Sequence, residues 1–230
     1  MQRLMSVLLV AVAACGDAAG DGANLLDAPQ GGAADAGTSS DADAFQGLLV
    51  AWEAAPALPG SLNLNTMVTV TSAAFHVKKL EAISDGGAVP AATQNEFDVA
   101  WNAASQPFDL YFPSAPPAIY SKIRLGLDKS LANAPSIEIT GTVQVDGSIE
   151  MFRVTSSRTA DLEIGGYAVT LGLGESEGMP VIVKLDALLA DVEWRALPTM
   201  NGVRVLDDTR TTAMDALFDR LEDAFTGPLD

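Results

Sequence analysis

The chain has 230 residues, enough for one ordinary domain or two small ones, and 48% of them are hydrophobic, so a full core is within reach. Against 30 Asp and Glu stand 13 Lys and Arg, a formal net charge of −17 that argues against a nucleic-acid binder, since nothing would neutralise phosphates. One cysteine and one histidine exclude an intramolecular disulfide framework, a Cys-rich metal site and most His-based catalytic constellations.

In chain order, Met1-Gln2-Arg3 carries one positive charge, and Leu4 to Ala14 is an apolar run interrupted only by Ser6. Its length suits a signal-peptide h-region and is about half of the roughly 20 residues a spanning helix needs. The run ends in Val12-Ala13-Ala14-Cys15-Gly16, where small side chains let a peptidase approach the backbone beside the chain's one thiol. This segment resembles the lipobox of bacterial lipoproteins. The resemblance implies removal of residues 1–14, lipidation of Cys15, and attachment to a membrane of the cell envelope. Gly16, rather than Asp, after the cysteine implies the outer membrane, facing the periplasm or the surface. An ordinary signal peptide with an incidental cysteine is the plainer alternative. The cysteine's position, its small neighbours and its uniqueness together disfavour it.

With Cys15, residues 15–44 read as a lipidated cysteine and its tether. From Gly16 to Ala44 there are nine Ala, six Gly and six Asp, with no Lys, Arg or aromatic residue. Such a stretch cannot bury enough apolar surface to offset its chain entropy. As a Gly-rich coil it would span roughly 30 Å. Asp41-Ala42-Asp43 lacks the continuation of a calcium loop and reads as part of the solvated tether.

From residue 45 to 230 the pattern predicts a single mainly β domain, an antiparallel β-sandwich with a C-terminal amphipathic helix. Period-two alternation runs through Leu62–Asn65, Met67–Val77, Glu96–Val99, Phe108–Tyr111 and Lys122–Leu127, the last with Ile123, Leu125 and Leu127 on one face. Ile137–Ile139 and Val143–Val145 lead to Asp146-Gly147, a two-residue hairpin signal, and Ile149–Thr155 returns. Tyr167–Leu171 and Val181–Leu185 make a further candidate pair. A short helix is expected over Asp186–Val192. The final helix is expected over 209–226, with Met214, Leu217, Phe218, Leu221 and Phe225 as its buried stripe. Thr212 with Asp215 reads as its capping box, and Gly227-Pro228 as its stop.

No catalytic residue, metal ligand or cofactor is predicted. Gly174-Glu175-Ser176-Glu177-Gly178 has the letters of a nucleophile elbow. That motif needs a strand-to-helix turn and a later histidine, and here Met179-Pro180 and an apolar β run follow, with no histidine beyond His76. His76 itself lies opposite the core face set by Phe75 and Val77, and only Met, Asp and Glu remain as further ligands. The five methionines beyond the signal segment are scattered and suit gap-filling in the core. Trp52, Trp101, Tyr111, Tyr120 and Trp194 could form a sugar-stacking platform, but core packing is the expectation.

The β-rich body also resembles two groups of bacterial lipoprotein domains. Val68–Leu80 followed by Ala118–Leu125 is similar to a family of uncharacterised lipoprotein sandwiches. Val169-Thr170-Leu171-Gly172, Val181–Leu189 and Leu217–Phe225 resemble the methanobactin-associated periplasmic copper-binding family. The second likeness implies a scaffold without its metal, because the chain has Thr170 where that family favours histidine, and no ligand carries over. The resulting expectation is an exported lipoprotein whose partner besides the membrane is a protein or glycan, not nucleic acid. Its domain is expected to be non-catalytic, acting in binding or as an envelope component. A copper-handling periplasmic protein and a carbohydrate-binding or adhesive module are the two alternatives.

Overall fold

A computed structural model describes residues 46–85, 92–130, 132 and 134–228. The signal segment 1–14, Cys15 and the tether to residue 44 lie outside the described residues. The fold is mainly β. Its first half runs β1 (Gly47–Val50), β2 (Trp52–Ala55), β3 (Gly60–Asn63), β4 (Met67–Ser84), β5 (Ala92–Trp101), β6 (Leu110–Phe112), β7 (Ala118–Leu127) and β8 (Ile137–Val145). Then follow β9 (Ser148–Ser156), β10 (Ala160–Ile164), β11 (Val169–Leu171), β12 (Ser176–Gly178), β13 (Val181–Lys184) and α1 (Leu185–Leu189). A 3-10 turn at Trp194–Ala196 precedes β14 (Thr199–Met200), β15 (Val203–Leu206), α2 (Thr211–Asp219), α3 (Leu221–Ala224) and β16 (Phe225–Thr226).

The 18 residues of β4 organise the large sheet. One edge pairs with β3 and then β5; the other pairs with β8 and then β7. A strand this long stays on one core only if its buried face is re-phased as it bends. The buried positions are Val68 and Val70, then Ala73, Phe75 and Val77, then Leu80 and Ala82. Each three-residue step coincides with a register shift, at Val70/Ser72 and at Val77/Lys79, so bulges insert the extra residue and curl the sheet. Beyond β8 the sheet continues through β9 to β15 and β14, and beyond β7 to β10 and β11.

The Asp146-Gly147 hairpin forms as expected. Val145 pairs with Ser148, and both turn residues have positive φ, 49° and 83°, the signature of a type I′ turn. The expected pairing of Tyr167–Leu171 with Val181–Leu185 does not form. Instead β11 lies against β7, and β13 lies between β2 and β16. The reason is a parallel ribbon between distant segments. Gly47–Leu49 pairs with Ser176–Gly178, and Trp52–Ala55 pairs with Val181–Lys184, in one unbroken register. Across the break the amides of Met179 and Val181 donate to the carbonyls of Leu49 and Ala51, both at 2.8 Å, while Pro180 between them has no N–H to offer. With β15 also parallel to β9, the sheets are not purely antiparallel.

Four of the five stripe residues, Met214, Leu217, Leu221 and Phe225, are core residues, and Phe225 meets Phe75 edge-on at 5.1 Å, whereas Phe218 is only partly buried beneath Arg158. The helix is shorter than the stripe, however. It ends at Asp219, turns at Arg220, resumes for four residues, and gives way to β16, whose Val183 and Ile182 partners recruit Phe225 and Thr226 into a sheet before Gly227 is reached. The Thr212–Asp215 capping box is also absent. Arg210 occupies the N-cap without a side-chain cap, and Asp215 is drawn to Arg158 at 2.5 Å. The turn into α2 is held by Asp207, whose carboxylate accepts the Thr209 amide. The shorter expected helix appears as α1 but ends at Leu189; Leu188 and Leu189 are buried in it, and Val192 is buried beyond its end. No helix among the described residues is long and apolar enough to cross a membrane.

Candidate functional site

The residues singled out in the sequence are scattered through the fold. Ser176 starts the edge strand β12 beside Gly47, after a turn in which the Glu175 carboxylate accepts the Gly172 amide at 3.0 Å. No helix follows it, so the geometry that exposes and activates a nucleophile at an elbow is missing. His76 sits on the non-core side of β4, as alternation requires, and its Nδ1 meets Asp98 Oδ1 of β5 at 2.6 Å. No group of three or more His, Cys, Asp or Glu among the described residues is placed to hold a metal ion.

Of the five candidate stacking aromatics, Trp52, Trp101, Tyr120 and Trp194 are buried, and Tyr111 alone is exposed. Their rings face the core, so they form no surface row. The methionines depart from expectation in the other direction. Met179 and Met214 are fully buried, but Met67 and Met151 are exposed on the outer phase of their strands, and Met200 is exposed in the short edge strand β14.

Polar side chains collect in several recesses. One, about 400 Å³, lies over β4, β7 and β10 and is lined by Lys79, Glu81, Arg124, Asp161, Glu163 and Glu222 among others. Its principal charges are already answered within the sheet. Glu81 pairs with Lys79, while Glu163 takes Lys122 at 2.5 Å and Arg124 at 3.3 Å. The hydrogen bond from Lys122, with that from Arg124 second, holds the Glu163 carboxyl below the ordinary carboxylate range. In the same way the Lys78 ammonium, 2.8 Å away, lowers Asp128. A carboxyl lowered in the folded state contributes stability above its unfolded pKa and loses that contribution as pH falls through the folded value. Glu163→Gln is therefore expected to lower the Tm at pH 7 by about 1–2 °C, the scale of an exposed ion pair in a domain of this size. The gap to wild type should close as pH drops below the carboxylate range, which calorimetry at pH 7 and pH 3 would read. A gap that persists unchanged at pH 3 would assign the effect to packing.

A smaller recess, about 230 Å³, is built where three connections meet at one end of the sheet. The β3–β4 turn supplies Asn65 and Thr66, the end of β8 supplies Gln144 and Val145, and the 3-10 turn supplies Glu193, Trp194 and Arg195. Loop-borne polar groups on a rigid scaffold are the usual material of binding sites. The Thr66 hydroxyl donates to the Gln144 carbonyl and ties two walls together. Arg195 reaches Asp146 of the hairpin at 3.1 Å and ties the third. Underneath, Arg204 of β15 fixes the 3-10 turn: its Nη1 donates to the carbonyls of Trp194, Arg195 and Leu197 at 3.0, 3.3 and 3.2 Å. Glu150 of β9 completes the arrangement, with Nε–Oε2 at 2.8 Å and Nη2–Oε1 at 3.1 Å. The Trp194 ring packs on Phe152 at 4.7 Å, and its buried indole Nε1 has no hydrogen-bond partner among the described residues.

Sequence reasoning passed over all of these pocket residues except Trp194. The signal that could have found the support is Arg204 itself. A cation between Val203 and Val205, in an otherwise apolar strand, has to be paired if it is buried. No known protein family, curated protein or solved structure matches the chain.

Proposed function

We propose that the protein is an exported lipoprotein, anchored through Cys15, whose β domain binds a partner or serves the cell envelope without catalysing a reaction. One observation carries this reading: an apolar run of h-region length that ends in Ala13-Ala14 and the chain's single cysteine. Two or three acyl chains on that cysteine, at about 0.8 kcal/mol per buried methylene, would make attachment stable. The acidic tether would space the domain from the bilayer by roughly 30 Å and keep it off an anionic surface. In this reading the address is the outer membrane, and the curled sheet closes on its core as the layers of a sandwich.

The non-catalytic part of the reading draws support from the placement of Ser176 in an edge strand with no helix directly after it. Fractionation tests the anchor. The wild-type chain should pellet with membranes and be released by detergent, while Cys15→Ala should move to the soluble exported fraction. A Cys15→Ala chain that still pellets and is extracted only by detergent would overturn the anchor.

A further inference from the structure

The geometry points to the outer face of the large sheet as the surface through which two copies of this chain pair. Register places Ser61, Thr69, Thr142, Met151, Val203 and Met200 in one row across six strands, from β3 to β14. The first four lie opposite the core, because Leu62, Val68, Val143 and Phe152 beside them along the strands are buried. Val203 and Met200 share that face as cross-strand neighbours of Met151. The adjoining row sets Ile149 against Gln144 and Met67 against Asn63. A sheet with one solvated face turns polar side chains outward. Here Met67, Ile149, Met151 and Met200 break that pattern, each 58–77% exposed. An apolar area set among polar groups marks an interaction surface.

Charge selects the partner. The chain carries a net −17, yet neither row holds a charged side chain, and Arg153 in the row beyond is answered by Glu138 at 2.7 Å. Two copies that repel elsewhere can therefore meet on this neutral face, whereas a basic partner would be drawn to the acidic surface around it. The polar groups of the face agree with self-pairing. Serine and threonine hydroxyls and the Asn63 and Gln144 amides each donate and accept, so the face complements itself. Its size is sufficient as well. Six strands at a spacing of about 4.8 Å span about 29 Å, and three side-chain rows span about 20 Å. That gives about 600 Å² per copy and about 1,200 Å² for the pair, the lower end for a specific interface. Sheets stack face to face about 10 Å apart, and the unbranched methionine side chains can fit themselves to the facing strands.

The test is sedimentation of the full chain carrying Cys15→Ala, so that neither an acyl anchor nor a detergent micelle joins two copies or covers the face. A monomer–dimer equilibrium is expected, with a Kd on the order of 10 μM. It should tighten about threefold as NaCl rises from about 50 to about 500 mM, because salt screens the repulsion between the acidic chains. Met151→Lys should leave only monomer up to about 200 μM. Lysine lowers the net negative charge, so the loss cannot come from added repulsion between the chains at large. Ile149→Lys should act in the same way, and as the more exposed position it decides the matter if Met151→Lys lowers the urea midpoint. Leu173→Lys, at an exposed turn away from the face, should leave the dimer intact. The proposal is overturned if the parent chain stays monomeric at about 200 μM at either salt concentration. A dimer that survives both face variants, is lost equally with Leu173→Lys, or weakens as salt is added would overturn it too. None of these outcomes bears on the anchor, which fractionation tests separately.

Discussion

Arg204→Ala is expected to destabilise the domain by about 3 kcal/mol, the lower end of the range for breaking a buried pair, because Glu150 keeps some access to water. Arg204 is 12% exposed at the side chain and meets Glu150 through two nitrogens, while a third nitrogen serves three carbonyls of the 3-10 turn. Truncation strands the Glu150 charge and leaves the carbonyls of Trp194, Arg195 and Leu197 without their shared donor. Glu150→Leu combined with Arg204→Met removes both charges and keeps apolar volume. It should recover the part of the loss that comes from the stranded Glu150 charge, while the three carbonyls still lack their donor. Urea unfolding measures both variants. If Arg204→Ala costs less than about 1 kcal/mol, the pair behaves as an ordinary surface salt bridge and does not support the pocket.

Phe152→Ala should cost about 3–5 kcal/mol, the usual range for deleting a buried aromatic ring. Phe152 is fully enclosed and holds two neighbours at once. On one side it supports the Trp194 ring. On the other it covers Gly141, its partner in β8, where an added Cβ would lie 2.8 Å from the Phe152 ring and 2.0 Å from the Thr69 carbonyl. Glycine is needed there because β8 crosses β4 beside a bulge, and the bare strand is closed over by an aromatic from β9. The loss should appear as a lower urea midpoint with an unchanged slope. Phe152→Leu, which keeps most of the volume, should lose less than half as much. Equal losses for Leu and Ala would mean that the ring's contact with Gly141 and Trp194, rather than its volume, sets the cost.

What could be read from the sequence follows from the range of the interactions. Local alternation located β4, β7 and β9, and Asp146-Gly147 placed the hairpin, because side-chain period and turn chemistry act over a few residues. The buried C-terminal stripe was legible for the same reason. The strand that ends it was not, since Phe225 and Thr226 leave the helical path to pair with Val183 and Ile182 some 40 residues earlier. The ribbon joining β1 and β2 to β12 and β13 was equally out of reach. No turn connects its halves, and parallel pairing leaves no short-range signature.

The smaller recess shows the same limit in a site. Asn65, Gln144, Glu193 and Arg195 are ordinary surface residues in their own segments, and only the meeting of three connections brings them to one recess. Trp194 stood out as an aromatic, and core packing was the expectation that its burial meets. The fold packs its ring on Phe152 and leaves its buried indole N–H without a partner among the described residues.

The central claim is the anchor, and mass spectrometry of the N-terminal peptide from the membrane-extracted protein tests it most directly. The account predicts a chain that begins at Cys15 and carries two or three acyl chains, with residues 1–14 gone. A chain that keeps Met1, or begins at another residue with Cys15 as a free thiol, would contradict it.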